Sequence, residues 1–267
     1  MRFSAAGNWF GRDYLENIAE AARYGFGAVE QLGWRGVDLR AARARLDEYG
    51  MTSTAIVIDS KKEENRHKTA WTHGMVWEDS REAFLESFKE TLEAAAALRV
   101  PNIIATVGNE RADVSRERQH ETCVETLRRL GELARPAGVQ IVLEPLNVLV
   151  NHKGYFLVTS AEGFRMIDEV NDPSVKLLFD IYHQQVSEGN LIANITANID
   201  KIGHFHIADN PGRQEPGTGE IAYANVFAAI AAAGYDGYLA FECGRSVDVE
   251  LLCERMHALI DPFTSWK

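Results

Sequence analysis

A four-part rhythm runs along the chain: an amphipathic stretch, a glycine, a short apolar run and a polar loop. It is clearest in AARYGFGAVEQ, LDEYGMTSTAIVI, ARPAGVQIVLE and AAAGYDGYLAFE. Each glycine stands where a helix should end, because the left-handed backbone needed there costs glycine nothing. A strand is expected to follow each one. Between the glycines the apolar positions keep helical spacing: Phe84, Leu85, Phe88, Leu92 and Ala95 form one stripe, and Val124, Leu127, Leu130 and Ala134 another. The remaining faces are charged and are expected to meet solvent. Strands are predicted at 2–6, 28–31, 52–58, 102–106, 140–143, 175–179, 203–207 and 238–241.

Eight short apolar strands alternating with helices predict a parallel sheet covered by helices, and eight such units favour closure into a single α/β domain, a (β/α)₈ TIM barrel spanning residues 1–267. A doubly wound open sheet is the alternative. It is weakened because no GxGxxG follows the first strand and no GxxxxGK[ST] occurs anywhere. Two connections are too long to be turns: 59–79, with Trp71, His73 and Trp77, and 209–221, rich in glycine and proline. In a barrel both follow a strand, so both belong at the C-terminal mouth, where loops bind and gate.

With 267 residues, 46% of them hydrophobic, the chain can bury the core of one such barrel. Residues 1–10 carry one arginine and no sustained apolar stretch, so neither a signal peptide nor a membrane span is expected, and a cytoplasmic location fits. Cys123, Cys243 and Cys253 are odd in number and form no CxxC, which opposes a disulfide framework and a zinc ribbon. The net charge of −11 is spread along the chain, so polyanions such as nucleic acid are poor partners. Self-association into a homo-oligomer stays open.

The chemistry gathers late in the chain. Four strands end in a side chain able to bind a metal: IVLE at Glu144, LLFD at Asp180, HFHIAD with His206, and LAFE at Glu242. Such residues are unfavourable inside a core, but at a barrel mouth they converge on one axis and can share a cation. Three carboxylates and one imidazole suit one divalent ion, Mn²⁺, Mg²⁺ or Co²⁺. Each residue also has a plainer reading. Asp180 can cap a helix beginning beyond IYHQQ, Glu144 before its proline can be an exposed loop carboxylate, and the alternation in HFHIAD is expected to turn either His204 or His206 inward.

EPLN, GYFL, LLFDIYHQQ, GHFHIAD, NPGRQEPGTGEI and YLAFEC, in this order, resemble the hydroxypyruvate isomerase family of the xylose-isomerase-like barrel superfamily. The resemblance extends over nearly the whole chain and is densest from Glu144 to Glu242. It implies a (β/α)₈ barrel that binds one divalent metal and moves a proton between adjacent carbons of a ketose, an aldose or a related acid. By motif position Glu144 and Glu242 match the family's paired ligand-catalysts, Asp180 its third ligand, and His183 and Arg213 its substrate contacts. The chain departs from the usual HIQIAD in having His206, which is similar to the ketose 3-epimerases of the same superfamily.

The resemblance implies an isomerase that interconverts hydroxypyruvate and tartronate semialdehyde, or acts on a closely related small hydroxy-carbonyl acid, through an enediolate whose charge a cation draws off. Glu144 and Glu242 are expected to handle protons, with Asp180 and His206 mainly holding the metal. Arg213 or Lys153 can meet a substrate carboxylate, His183 a substrate oxygen, and Trp71, Trp77 and Phe10 can wall the pocket or simply fill core and lid. The loop at 209–221 is expected to order over substrate. A ketose 3-epimerase is the alternative, followed by a noncatalytic sugar-binding barrel and an endonuclease IV-like DNA-repair enzyme.

Overall fold

A computed structural model describes residues 1–264. Its strands are β1 Arg2–Ala6, β2 Ala28–Glu30, β3 Thr52–Ser53, β4 Ala55–Val57, β5 Asn102–Ala105, β6 Gln140–Leu143, β7 Val175–Asp180, β8 Ile202–Ile207 and β9 Tyr238–Phe241. All pairings among them are parallel, in the order β3-β2-β1-β9-β8-β7-β6-β5-β4.

The two ends of that order, β3 and β4, are separated in the chain by Thr54 alone. β3 pairs with β2, Thr54 N–H donates to the Val29 carbonyl at 3.3 Å, and β4 pairs with β5. One extended segment therefore touches both neighbours and closes the sheet into an α/β TIM barrel. The strand expected at 52–58 is this segment, interrupted at Thr54 where pairing passes from one side to the other.

Local chemistry sets the helix ends. Asp13, Asp38, Ser115, Thr159, Asp180 and Asp248 each accept a hydrogen bond from the backbone N–H three residues on, satisfying a donor that the first helical turn leaves free. Gly50 and Gly138 close their helices at φ 64° and 67°, a left-handed geometry that would strain a side chain. The helix Arg116–Ala137 buries Val124, Leu127, Leu130 and Ala134 as its stripe predicts. In the helix Arg81–Leu98 the buried stripe instead runs through Phe84, Phe88, Ala94, Ala95 and Leu98, leaving Leu85 and Leu92 half-buried.

Strand side chains alternate between two cores. One set packs outward under the helices, including Phe3, Ile141, Leu143, Leu177, Phe179, Phe205, Leu239 and Phe241. A smaller set, Ala55, Ile104, Val142 and Leu178, forms a separate plug inside the barrel. Two residues beyond Val142 and Leu178 on the same face come Glu144 and Asp180, so the barrel interior changes from apolar to acidic within one pleat. Among the described residues no helix is long and apolar enough to cross a membrane.

Candidate active site

Glu144, Asp180, His206 and Glu242 each offer one donor atom, and these atoms all lie within 4.8 Å of one another. Glu144, Asp180 and His206 are buried, while the Glu242 side chain is 28% exposed and so faces the mouth. Glu144 is thus no exposed loop carboxylate. The acidic end of one inward row on β6, β7, β8 and β9 supplies the set, because residues two apart on a strand share a face.

The same periodicity corrects the expectation for HFHIAD. His204 and His206 are two residues apart, so both turn inward, and both are buried. Their Nε2 atoms meet the two oxygens of Glu30 at 2.8 Å each. Burial pushes Glu30 toward protonation, but His204 and then His206 overcome it and hold its carboxyl well below the usual range. Glu30 ends its strand as AVE, the signature also carried by IVLE and LAFE, and that signal was available in the sequence. Its histidine partners, more than 170 residues away, were not.

His206 Nδ1 stands 3.1 Å from Glu242, 3.3 Å from Glu144 and 3.9 Å from Asp180. Among the described residues neither this nitrogen nor Asp180 Oδ2 has a partner in hydrogen-bonding geometry. Burial acts against a charge on His206, but Glu242 and Glu30 raise its pKa well above the ordinary value. Four carboxylates, counting Glu30, gather around three basic groups, His204, His206 and Arg213. A buried excess of negative charge calls for a cation, and hard oxygens with one imidazole match the divalent ions expected from the sequence. The residues present fit such a group.

Asp180 satisfies both of its readings at once. Its Oδ1 accepts from His183 N–H at 2.8 Å, capping a helix, Ile181–Ser187, that starts immediately instead of beyond IYHQQ, while its Oδ2 is left for the cluster. The cap also places His183, whose Nδ1 accepts from Asn147 N–H at 3.2 Å. Nε2 must then carry the proton, and it is an unpartnered buried donor 3.7 Å from Asp180 Oδ2. Burial lowers the His183 pKa to about 4, so the ring is neutral near neutral pH.

Glu144 and Glu242 diverge. Burial raises Glu144 above the usual carboxylate range, and neighbouring Glu242 and Asp180 add to this against the pull of His206. For Glu242 burial is outweighed by His206 and Arg213, and its pKa is lowered. Arg213 Nη2 reaches Glu242 Oε2 at 2.6 Å and lies 3.8 Å from Asp180 Oδ2.

Arg213 sits at φ 54° in a loop that is already tied down. Buried Asp209 accepts from the N–H groups of Asn210, Gly217, Gly219 and Ile221 at 2.7–3.1 Å, and Glu215 accepts from Ser246 N–H. Of the expected wall residues, Trp71 meets His152 edge-on at 4.9 Å, and His152 lies 5.2 Å from His183. Trp77 stacks on His73 and carries the Arg111 guanidinium over its ring, and Phe10 stacks on Tyr24, so neither is brought to the cluster by these contacts. Lys153 is exposed. Cys123, Cys243 and Cys253 are buried and free.

A family model described as xylose isomerase-like TIM barrel matches residues 18–259. Hydroxypyruvate isomerase of Escherichia coli K12 is 32% identical over 251 residues, covering 91% of this chain and 93% of the relative. 2-Oxo-tetronate isomerase of Cupriavidus necator is 33% identical over 233 residues, 86% of each. A crystal structure described as an AP endonuclease of family 2 from Brucella melitensis is similar with a TM-score of 0.86 at 27% identity, over 99% of both chains.

Proposed function

We propose a specific chemistry for this chain, which belongs to the xylose isomerase-like TIM barrel family and is an isomerase or epimerase: it shifts the carbonyl of a small 2-oxo hydroxy acid, hydroxypyruvate first, to the neighbouring carbon. The observation that carries the reading is the convergence of Glu144, Asp180, His206 and Glu242 within 4.8 Å, in a chain whose relatives at 32% and 33% identity are named isomerases of such acids.

The slow step in any such isomerisation is removal of a proton from carbon. A divalent ion held by Glu144, Asp180, His206 and Glu242 would polarise the adjacent substrate oxygens and lower that barrier. Glu242, kept ionised by His206 and Arg213 and partly open to the mouth, takes the proton from the hydroxyl-bearing carbon. Glu144, across the cluster, returns a proton to the former carbonyl carbon, while the hydroxyl proton passes to the former carbonyl oxygen, so both hydrogens are accounted for. No net oxidation occurs, since one carbon is oxidised as its neighbour is reduced. His183 donates its Nε2 hydrogen to a substrate oxygen, and Arg213 meets the carboxylate while keeping Glu242 in place.

The reading is tested by stripping the protein with a chelator and assaying hydroxypyruvate conversion to tartronate semialdehyde before and after adding Mn²⁺, Mg²⁺ or Co²⁺. Activity should vanish and return; full turnover in protein shown metal-free by elemental analysis would end it. His206, an imidazole where a glutamine is usual, favours a second reading, epimerisation of a ketose. A turnover preference for five- or six-carbon ketoses over hydroxypyruvate would replace the first reading with the second. The net charge of −11 opposes nucleic acid as the substrate in either reading.

A further inference from the structure

Glu30 lies outside the proposed proton path, yet it is 5% exposed and engaged at both oxygens. Oε1 meets His206 Nε2 at 2.8 Å, while Oε2 meets His204 Nε2 at 2.8 Å and accepts the Thr54 hydroxyl at 2.6 Å. Burying another carboxylate beside Glu144, Asp180 and Glu242 costs several kcal/mol in principle, so its placement demands a return. An ionised carboxylate only accepts hydrogen bonds. Both rings turn Nε2 toward Glu30, which leaves Nδ1 as the His206 nitrogen that faces the cluster. A ring flipped about its Cβ–Cγ bond would lose this bond and point carbon at the other carboxylates.

The elements make the grip rigid. Glu30 comes from β2, both histidines from β8, and Thr54 from the residue at which the barrel closes. Thr54 also lies 3.2 Å from Ser4 Oγ, so the carboxylate is braced from three sides of the barrel interior.

We infer that Glu30 is a positioning residue: clamped by Thr54 and His204, it fixes His206 as the Nε2–H tautomer with Nδ1 aimed between Glu144, Asp180 and Glu242. This rests on reading that cluster as a cation site. An outer carboxylate of this kind orients a ligating imidazole and strengthens its donor nitrogen.

The test measures Mn²⁺ affinity by chelator competition for the intact chain, Glu30→Gln, Glu30→Asp and Thr54→Val, with ¹⁵N spectra of the histidine rings in the Mg²⁺-loaded proteins. Glu30→Gln should weaken Mn²⁺ binding about tenfold or more, the range for loss of an outer partner, and the His206 ring should lose its single Nε2–H pattern. Glu30→Asp keeps the charge but is one carbon too short to span both rings, so it should not restore affinity. Thr54→Val removes one donor while leaving all four acidic groups and both histidines. It should weaken binding by a smaller factor, and it answers the question if Glu30→Gln fails to fold. Unchanged Mn²⁺ affinity and ring spectra in folded Glu30→Gln, or full recovery in Glu30→Asp, overturns the role of Glu30 alone. Failure of the intact chain to bind any divalent ion overturns the cation site, and this inference with it.

Discussion

At the scale of single residues, the two glutamates differ in environment although both sit at strand ends. Glutamine keeps their size and one oxygen while removing the proton-carrying charge. Glu144→Gln and Glu242→Gln should each lower turnover at least about a hundredfold, the lower end of what general acid or base catalysis contributes, with metal occupancy checked at saturating Mn²⁺. Near-normal turnover in both saturated variants would refute the pairing. Their effects on metal-free stability should be opposite. Because the pKa of Glu144 is raised on folding, the native state holds its proton where the unfolded chain has released it, and stability falls as pH rises out of the carboxylate range. Glu144→Gln removes that loss, so in chelator at pH 8 it should melt above the unsubstituted chain, with the gain shrinking toward pH 5. Glu242 is lowered on folding and anchors Arg213, so its stabilising effect is present above the carboxylate range and Glu242→Gln should melt lower at pH 8. Thermal melts at the two pH values decide the matter, and equal shifts of the same sign contradict the assignment.

Elements, not individual side chains, set where Arg213 stands. Asp209 gathers four backbone N–H groups of the glycine-rich loop, and Gly244 N–H donates to the Arg213 carbonyl at 2.9 Å. Asp209→Asn turns one acceptor into a donor and leaves buried N–H groups unpaired, a cost of about 1–3 kcal/mol. The substrate KM should rise while Mn²⁺ affinity changes little, and limited proteolysis should begin to cut within 210–220; an unchanged KM would show that the loop does not position Arg213 for substrate. Arg213→Ala should likewise weaken substrate binding more than metal binding. The elements themselves were legible because their signals are local: glycines at helix ends, helical spacing of apolar residues, and apolar runs ending in an acid. Glu144, Asp180, His206 and Glu242 were legible for the same reason. Glu30 carried the same mark but lay in an early strand, and Thr54 carried none, since its importance arises from closure between strands distant in sequence. His204 was misjudged where the two-residue period of a strand already places it beside His206. Asn147, which sets the His183 tautomer, is seen only when the loop after β6 folds back.

For the whole molecule, the barrel holds more buried acid than base at one end, so its stability should be linked to the ion it binds. A ligand at a hundred times its Kd stabilises by about 2.7 kcal/mol, which for a chain of this size raises Tm by roughly 5–10 °C. Calorimetry with and without chelator should show a rise of that order with Mn²⁺, and a rise that Glu242→Gln diminishes. No change would mean that the acidic mouth is not a cation site. At the centre of the proposed reaction Glu242 removes a proton from the substrate carbon and Glu144 completes the transfer. Its most direct test is proton NMR of hydroxypyruvate in D₂O with the Mg²⁺-loaded chain, Glu242→Gln and Glu144→Gln, each against metal-free protein. The account predicts rapid exchange of one of the two C3 hydrogens with the unsubstituted chain, no exchange above background with Glu242→Gln, and exchange without completed conversion with Glu144→Gln. Undiminished exchange in metal-saturated Glu242→Gln would contradict it.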